Sequence, residues 1–213
     1  MNMRLPIVVI FFSAALLNTA CSFAPITPRV DAASIGRGEW KLESNFAPSL
    51  HLGAIHGVTD KLDIGMEVEQ LVMGSAWARY SFINNPSGFS LAGNAGVFTS
   101  HNDFRSNGYY LGAIVSNQIS PKTRFTFSYR YAQLDYEFDA NDDDDLYWLS
   151  LLDFDNATDA AVNGQVDATL SVLLKPHVEL ALGAVCQTLY NNTDPDNRSD
   201  VCFPVIGMSY YRR

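Results

Sequence analysis

Charge is scarce in this chain. Of its 213 residues, 17 % are Asp, Glu, Lys or Arg, against about 25 % in an ordinary soluble domain. The apolar share, 47 %, is nonetheless unremarkable, so Ser, Thr, Asn, Gln, Gly and Tyr fill the polar positions. Basic residues are the scarcer sign: 14 Lys and Arg face 23 Asp and Glu, for a net charge of −9. That balance excludes a surface built to neutralise phosphates, and no nucleic-acid partner is expected. Cysteine is limited to Cys21, Cys186 and Cys202, and the four histidines (His51, His56, His101, His177) share no zinc-ligand spacing. After Leu17 no apolar run reaches 18 residues, so no membrane-spanning helix is expected. Helical periodicity is also scarce. What is present is an aromatic content of 12 %, too high for a disordered chain.

The N-terminus is the one long apolar stretch. Arg4 precedes an almost unbroken apolar run from Leu5 to Leu17, too short to span a bilayer comfortably but suited to the core of a secretory signal peptide. The run ends on Leu17-Asn18-Thr19-Ala20-Cys21. This resembles the lipobox of bacterial lipoproteins, in which a small residue precedes a cysteine that becomes acylated and N-terminal. Ala20 and Cys21 match that pattern, and Asn18 stands where the family prefers Leu. The resemblance implies a signal peptide over 1–20, lipidation at Cys21 and, with Ser22 following, sorting to the outer membrane. Residues 21–38 carry Pro25 and Pro28 without periodicity, and the segment reads as a tether ahead of a folded domain over 39–213.

Along that domain, polar and apolar residues alternate with period 2. In Leu62–Glu69 the even positions are all apolar, and Arg124–Tyr131 presents one wholly aromatic face. Ten such segments follow one another, at 40–46, 49–57, 61–69, 75–83, 89–99, 109–119, 123–138, 162–174, 177–190 and 202–211. Tight connections at 58–60, 84–88, 120–122 and 175–176 alternate with longer ones at 70–74, 100–108, 139–161 and 191–201. Short turns on one side and long loops on the other are the signature of a transmembrane β-barrel. In lipid every backbone N–H and C=O needs an internal partner, so a spanning sheet must close on itself. The expected fold is therefore an all-β, closed, antiparallel up-and-down barrel of ten strands, with eight as the alternative count. The final strand ends on Tyr210-Tyr211, which resembles the aromatic-terminated last strand of outer-membrane barrels. The resemblance implies the barrel-assembly machinery and outer-membrane lipid as partners, and a bacterial outer-membrane location with periplasmic termini. The competing architecture is a water-soluble, lipid-anchored periplasmic barrel that binds an apolar ligand. Periodicity alone cannot separate the two, because it does not say which face points inward. Sparse Lys and Glu on the polar faces, glycines on those faces (Gly65, Gly96, Gly112, Gly183) and aromatics near the strand ends favour the membrane.

Phasing the strands by their apolar faces turns Asp63, Glu67, Arg79, Arg124, Arg130, Asp167 and Glu179 inward. Buried charges must pair, so these are expected to form a network that fills or narrows the lumen. Cys186 and Cys202 are symmetric about residue 194, the centre of a predicted loop. In an oxidising compartment they are expected to form a cross-strand disulfide. The loop 139–161 carries eight aspartates and no Lys or Arg, and Asp142, Asp143, Asp144 and Asp145 could collect Ca²⁺ or Mg²⁺ through carboxylate oxygens. No other cofactor is expected. Within the same loop Leu146–Phe154 is expected to form a short helix or latch at the barrel mouth.

Catalytic readings are weaker. The carboxylate and Asp–His pairs of omptin proteases have no counterpart at a readable spacing. Ser49/His51 and Ser100/His101 resemble the neighbouring Ser and His of outer-membrane lipid A deacylases, with no acid partner apparent in the sequence. No enzyme activity is expected. The function expected is structural, or interactive through the acidic external loops, toward an envelope or external partner that the sequence does not specify. The alternative is a narrow channel or transporter for small solutes.

Overall fold

The computed structural model describes residues 25, 31–47, 49–69, 73–100, 104–138, 158–191 and 198–212. The stretch 1–20 expected as a signal peptide, Cys21, the Asp142–Asp145 run and the stretch 146–154 expected as a helix or latch lie outside the described residues.

Ten strands form one closed antiparallel barrel: β1 (Trp40–Ala47), β2 (His51–Gly57), β3 (Leu62–Glu69), β4 (Met73–Ile83), β5 (Phe89–Ser100), β6 (Phe104–Ser120), β7 (Thr123–Phe138), β8 (Thr158–Lys175), β9 (Val178–Asn191) and β10 (Arg198–Arg212). Each pairs with its sequence neighbours, and β1 closes the ring on β10, with Glu43 opposite Ser209 and Leu42 opposite Tyr210. Closure gives every strand a neighbour on both sides, as a lipid environment demands.

Most strand positions follow the alternation, but several strands are longer than it predicts. β6 begins at Phe104 rather than 109, β8 at Thr158 rather than 162, and β10 at Arg198 rather than 202. All three extensions lie on the loop side. A ladder that continues past the bilayer has water on its outer face, so nothing there enforces an apolar residue at every second position, and the periodic signal fades while the hydrogen bonding continues.

The faces are inverted relative to a water-soluble barrel. Leu42, Leu52, Ile64, Met66, Val97, Leu111, Phe127 and Leu182 are exposed on the outside, whereas the interior holds Glu43, His51, Asp63, Arg79, Asn94, Gln165 and Asp167. Among the described residues, buried polar side chains outnumber buried apolar ones. Exposed aromatics ring the turn rim (Trp40, Phe82, Phe89, Phe125, Tyr210), and Phe46 and Tyr109 stand toward the loop rim. These are the girdles that amphipathic rings form at membrane–water interfaces. An apolar exterior of this extent would not be stable in water, which removes the soluble-barrel architecture.

The inward glycines make room in a narrow lumen. A Cβ on Gly65 would fall within the Trp77 indole, and one on Gly96 would meet the Tyr110 ring. A partly apolar interior layer, with Met73, Phe98, Tyr110, Ala132 and Leu134, narrows the loop half.

Cys186 and Cys202 are direct partners in the β9–β10 ladder and form a disulfide, with Cα atoms 4.0 Å apart. The ladder register is centred on residue 194, where the symmetry of the two cysteines puts it. The bridge closes 16 residues of sequence, and restricting a loop of that size in the unfolded chain is worth about 3 kcal/mol. Cys202→Ser is therefore expected to lower the urea midpoint of the vesicle-inserted protein. Reductant should bring the native chain down to the same midpoint and leave the variant where it is.

Candidate functional site

Among the described residues, charged groups converge in the lumen, and the strand register determines which of them meet. Asp63 and Arg79 are opposite one another in the β3–β4 ladder. Both are buried, and Arg79 donates to Asp63 Oδ2 through Nε at 3.1 Å and Nη2 at 2.6 Å. A guanidinium held by two bonds is the strong form of an ion pair and suits a site that cannot hydrate either charge.

The other expected network members find different partners. Glu67 accepts from Ser75 Oγ at 2.6 Å and from Trp77 Nε1 at 3.3 Å, and its Oε2 lies 3.2 Å from His51 Nε2. Asp167 accepts from the Ser128 hydroxyl, and Glu179 from the Tyr211 hydroxyl. Arg130 donates to the Pro25 carbonyl at 2.7 Å and lies over the Tyr110 ring at 4.8 Å. Arg124 pairs with Asp31 and donates to the Pro86 carbonyl at 2.5 Å. The inward residues therefore form a series of local clusters along the lumen.

Two features of the lumen are not anticipated by the sequence reading. One is Lys41, fully buried, which pairs with Glu43 at 2.7 Å and sits 4.9 Å from the Tyr211 ring centroid. Its signal was available, since Lys41 and Glu43 share a parity on β1. The other is the segment before β1. Of the stretch 21–38, expected as a tether, Pro25 and Asp31–Ser34 are buried against the lumen wall. The Asp31 carboxylate accepts from Ser116 Oγ at 2.9 Å as well as pairing with Arg124. The Asp31 carbonyl accepts from Arg79 Nη1 at 2.5 Å, and the Ala32 carbonyl from Ser81 Oγ at 2.7 Å. Ser34 Oγ donates to Asp63 Oδ1 at 2.8 Å.

The reversal that turns this segment back into the barrel rests on Gly36 and Gly38, whose φ angles of 99° and 79° are ones that L side chains rarely adopt. Gly38 N–H then donates to the Gly57 carbonyl at 2.8 Å, and Gly57 N–H to the Glu39 carbonyl at 3.0 Å. A tether needs no such fixed turn. The inward course follows because the wall offers donors to its carbonyls and a cation to Asp31.

The Ser49/His51 pair acquires carboxylates that were not apparent in the sequence, because the β2–β3 register sets His51 opposite Glu69 and Gly53 opposite Glu67. The two residues do not share one acid: His51 Nε2 faces Glu67, while Ser49 Oγ donates to Glu69 at 2.6 Å. All four side chains are buried. The arrangement orders the lumen and spends the Ser49 hydroxyl on a carboxylate. Among the described residues no group of three or more His, Cys, Asp or Glu could hold a metal ion.

A closed antiparallel barrel with a polar, ion-paired interior and an apolar, aromatic-rimmed exterior is a transmembrane β-barrel. No protein-family model matches the sequence, and no curated protein matches it at a significant level. Among solved structures, it is similar to the outer membrane protease OmpT of Escherichia coli (8 % identity, TM-score 0.44, covering 82 % of this chain and 92 % of that one). It is also similar to the KdgM porin (10 % identity, TM-score 0.38, 82 % and 98 % covered). A third is the attachment invasion locus protein Ail of Yersinia pestis (10 % identity, TM-score 0.38, 83 % and 99 % covered). At these values no activity carries across, and the fold assignment stands on this chain's own closed ladder and apolar belt.

Proposed function

We propose that this protein is a bacterial outer-membrane barrel whose role is structural or interactive, with the tight turns facing the periplasm and the acidic loops facing outward. The observation that carries the reading is the pairing of an apolar exterior with a lumen occupied by bonded side chains and by the chain's own Asp31–Ser34. A barrel filled in this way presents its rims, not its bore, to other molecules. The aspartate-rich stretch around Asp142–Asp145 is the candidate contact surface, reaching polyanionic envelope lipids through Ca²⁺ or Mg²⁺. Insertion would involve the barrel-assembly machinery, and acylation at Cys21 would add an anchor.

Gel migration of boiled and unboiled samples tests the barrel: the folded form should migrate differently from the boiled one, and a single boiling-insensitive species counts against it. Vesicles containing an anionic lipid test the loop. Mg²⁺-dependent binding of the barrel in detergent is expected to fall at least several-fold in a variant with Asp142, Asp143, Asp144 and Asp145 all changed to Asn. Unchanged binding would reject the loop as the contact. Labelled palmitate incorporated by the native chain and lost in Cys21→Ala tests the anchor.

A further inference from the structure

The geometry points to Asp31–Ser34 as a removable plug, so that the barrel conducts small ions, cations in preference, once these residues leave the lumen. The inference goes beyond the structural role above and rests on its placement of the barrel in a membrane.

Asp31–Ser34 adds no strand to the sheet. Its hydrogen bonds and ion pair to the wall run through the side chains of Arg79, Ser81, Ser116, Arg124, Asp63 and Asn84 and the Thr59 carbonyl. Water can replace each of these bonds, whereas a ladder strand could leave only by opening the barrel. Within Asp31–Ser34 the buried apolar side chains are the small ones of Ala32 and Ala33. On one side it borders a cavity of about 280 Å³ at the turn rim, large enough for water and lined by Asp31, Ile35, Lys122, Arg124, Glu179 and Tyr211.

Without Asp31, the described inward wall carries Glu43, Asp63, Glu67, Glu69, Asp167 and Glu179 against Lys41, Arg79, Arg124 and Arg130. Acids exceed bases, so a hydrated lumen attracts cations. Phe98 and Tyr110 keep the loop half narrow, which limits passage to small ions.

Planar-bilayer recording on the full, unacylated chain in KCl tests this, with heat-modifiable migration run alongside to establish that each variant is a folded barrel. The native chain should be silent or nearly so. Asp31→Arg combined with Ala32→Arg sets two cations against Arg79 and Arg124 and should expel the segment without altering the wall, raising the open time at least ten-fold. Its reversal potential in a KCl gradient should be on the potassium side. Asp31→Cys with Ser116→Cys, oxidised, should hold the segment in place and stay silent. A folded Arg variant that remains silent, or a locked variant that conducts like it, overturns the plug. An anion-side reversal potential overturns the selectivity. Failure of every variant to shift on heating would instead reject the membrane-barrel reading beneath it.

Discussion

Met66→Arg is expected to destabilise the vesicle-inserted barrel by about 2–4 kcal/mol, the cost of a cation near the bilayer midplane on the lipid face of a barrel. Met66 is 71 % exposed, sits in the middle of β3 and points outward between Ala54 and Ala76 in the neighbouring strands. Those alanines give a guanidinium no partner, so it must stretch toward an interface or draw water into the hydrocarbon. Phe82→Arg is the control. Phe82 is also strongly exposed, but lies next to the turn rim, where the same change costs about 0–1 kcal/mol. Urea titrations in phospholipid vesicles, read by tryptophan fluorescence, separate the two. In a water-soluble barrel, Met66→Arg would be neutral or favourable, since it replaces exposed apolar surface with charge. A stability within about 0.5 kcal/mol of the native chain would therefore undo the assignment of the outer face to lipid.

The contrast shows what period-2 alternation can convey. Strand positions and the inward set were readable because one face of each strand meets hydrocarbon, so a polar residue there is penalised at every second position. Asp63, Arg79, Glu67 and Asp167 all project inward as their parity requires. Which of them pair was not readable, because pairing depends on the stagger between strands and alternation fixes only parity. His51 meets Glu67 through the β2–β3 register, a relation across a turn that no spacing within one strand reveals. Asp31 was invisible for another reason. It lies outside every alternating segment, and two prolines nearby are as compatible with a linker as with an extended segment held in a lumen. The clue was the pair Gly36 and Gly38 just before β1, whose positive φ angles build the reversal that a free tether would not need.

Arg79→Met is expected to cost about 3–5 kcal/mol, because it strands a buried carboxylate rather than because it removes a favourable pair. Asp63 receives two bonds from Arg79 and one from Ser34. With the guanidinium gone, the Ser34 hydroxyl is the remaining donor among these, and the Asp31 carbonyl loses Arg79 Nη1 as well. Asp63→Asn/Arg79→Met removes the orphan charge and should recover most of the loss, so the double variant is expected to be more stable than Arg79→Met alone. That non-additivity distinguishes a paired buried charge from general damage to packing, which would make the second substitution add to the first. If Arg79→Met costs less than about 1 kcal/mol, water must already reach Asp63 in the native barrel, because hydration is the available substitute for the lost ion pair. The closed, ion-paired description of the turn half would then be wrong. The lumen would have to be treated as wet while the segment is seated, and silence of the native chain in a bilayer could no longer be attributed to the absence of a water path.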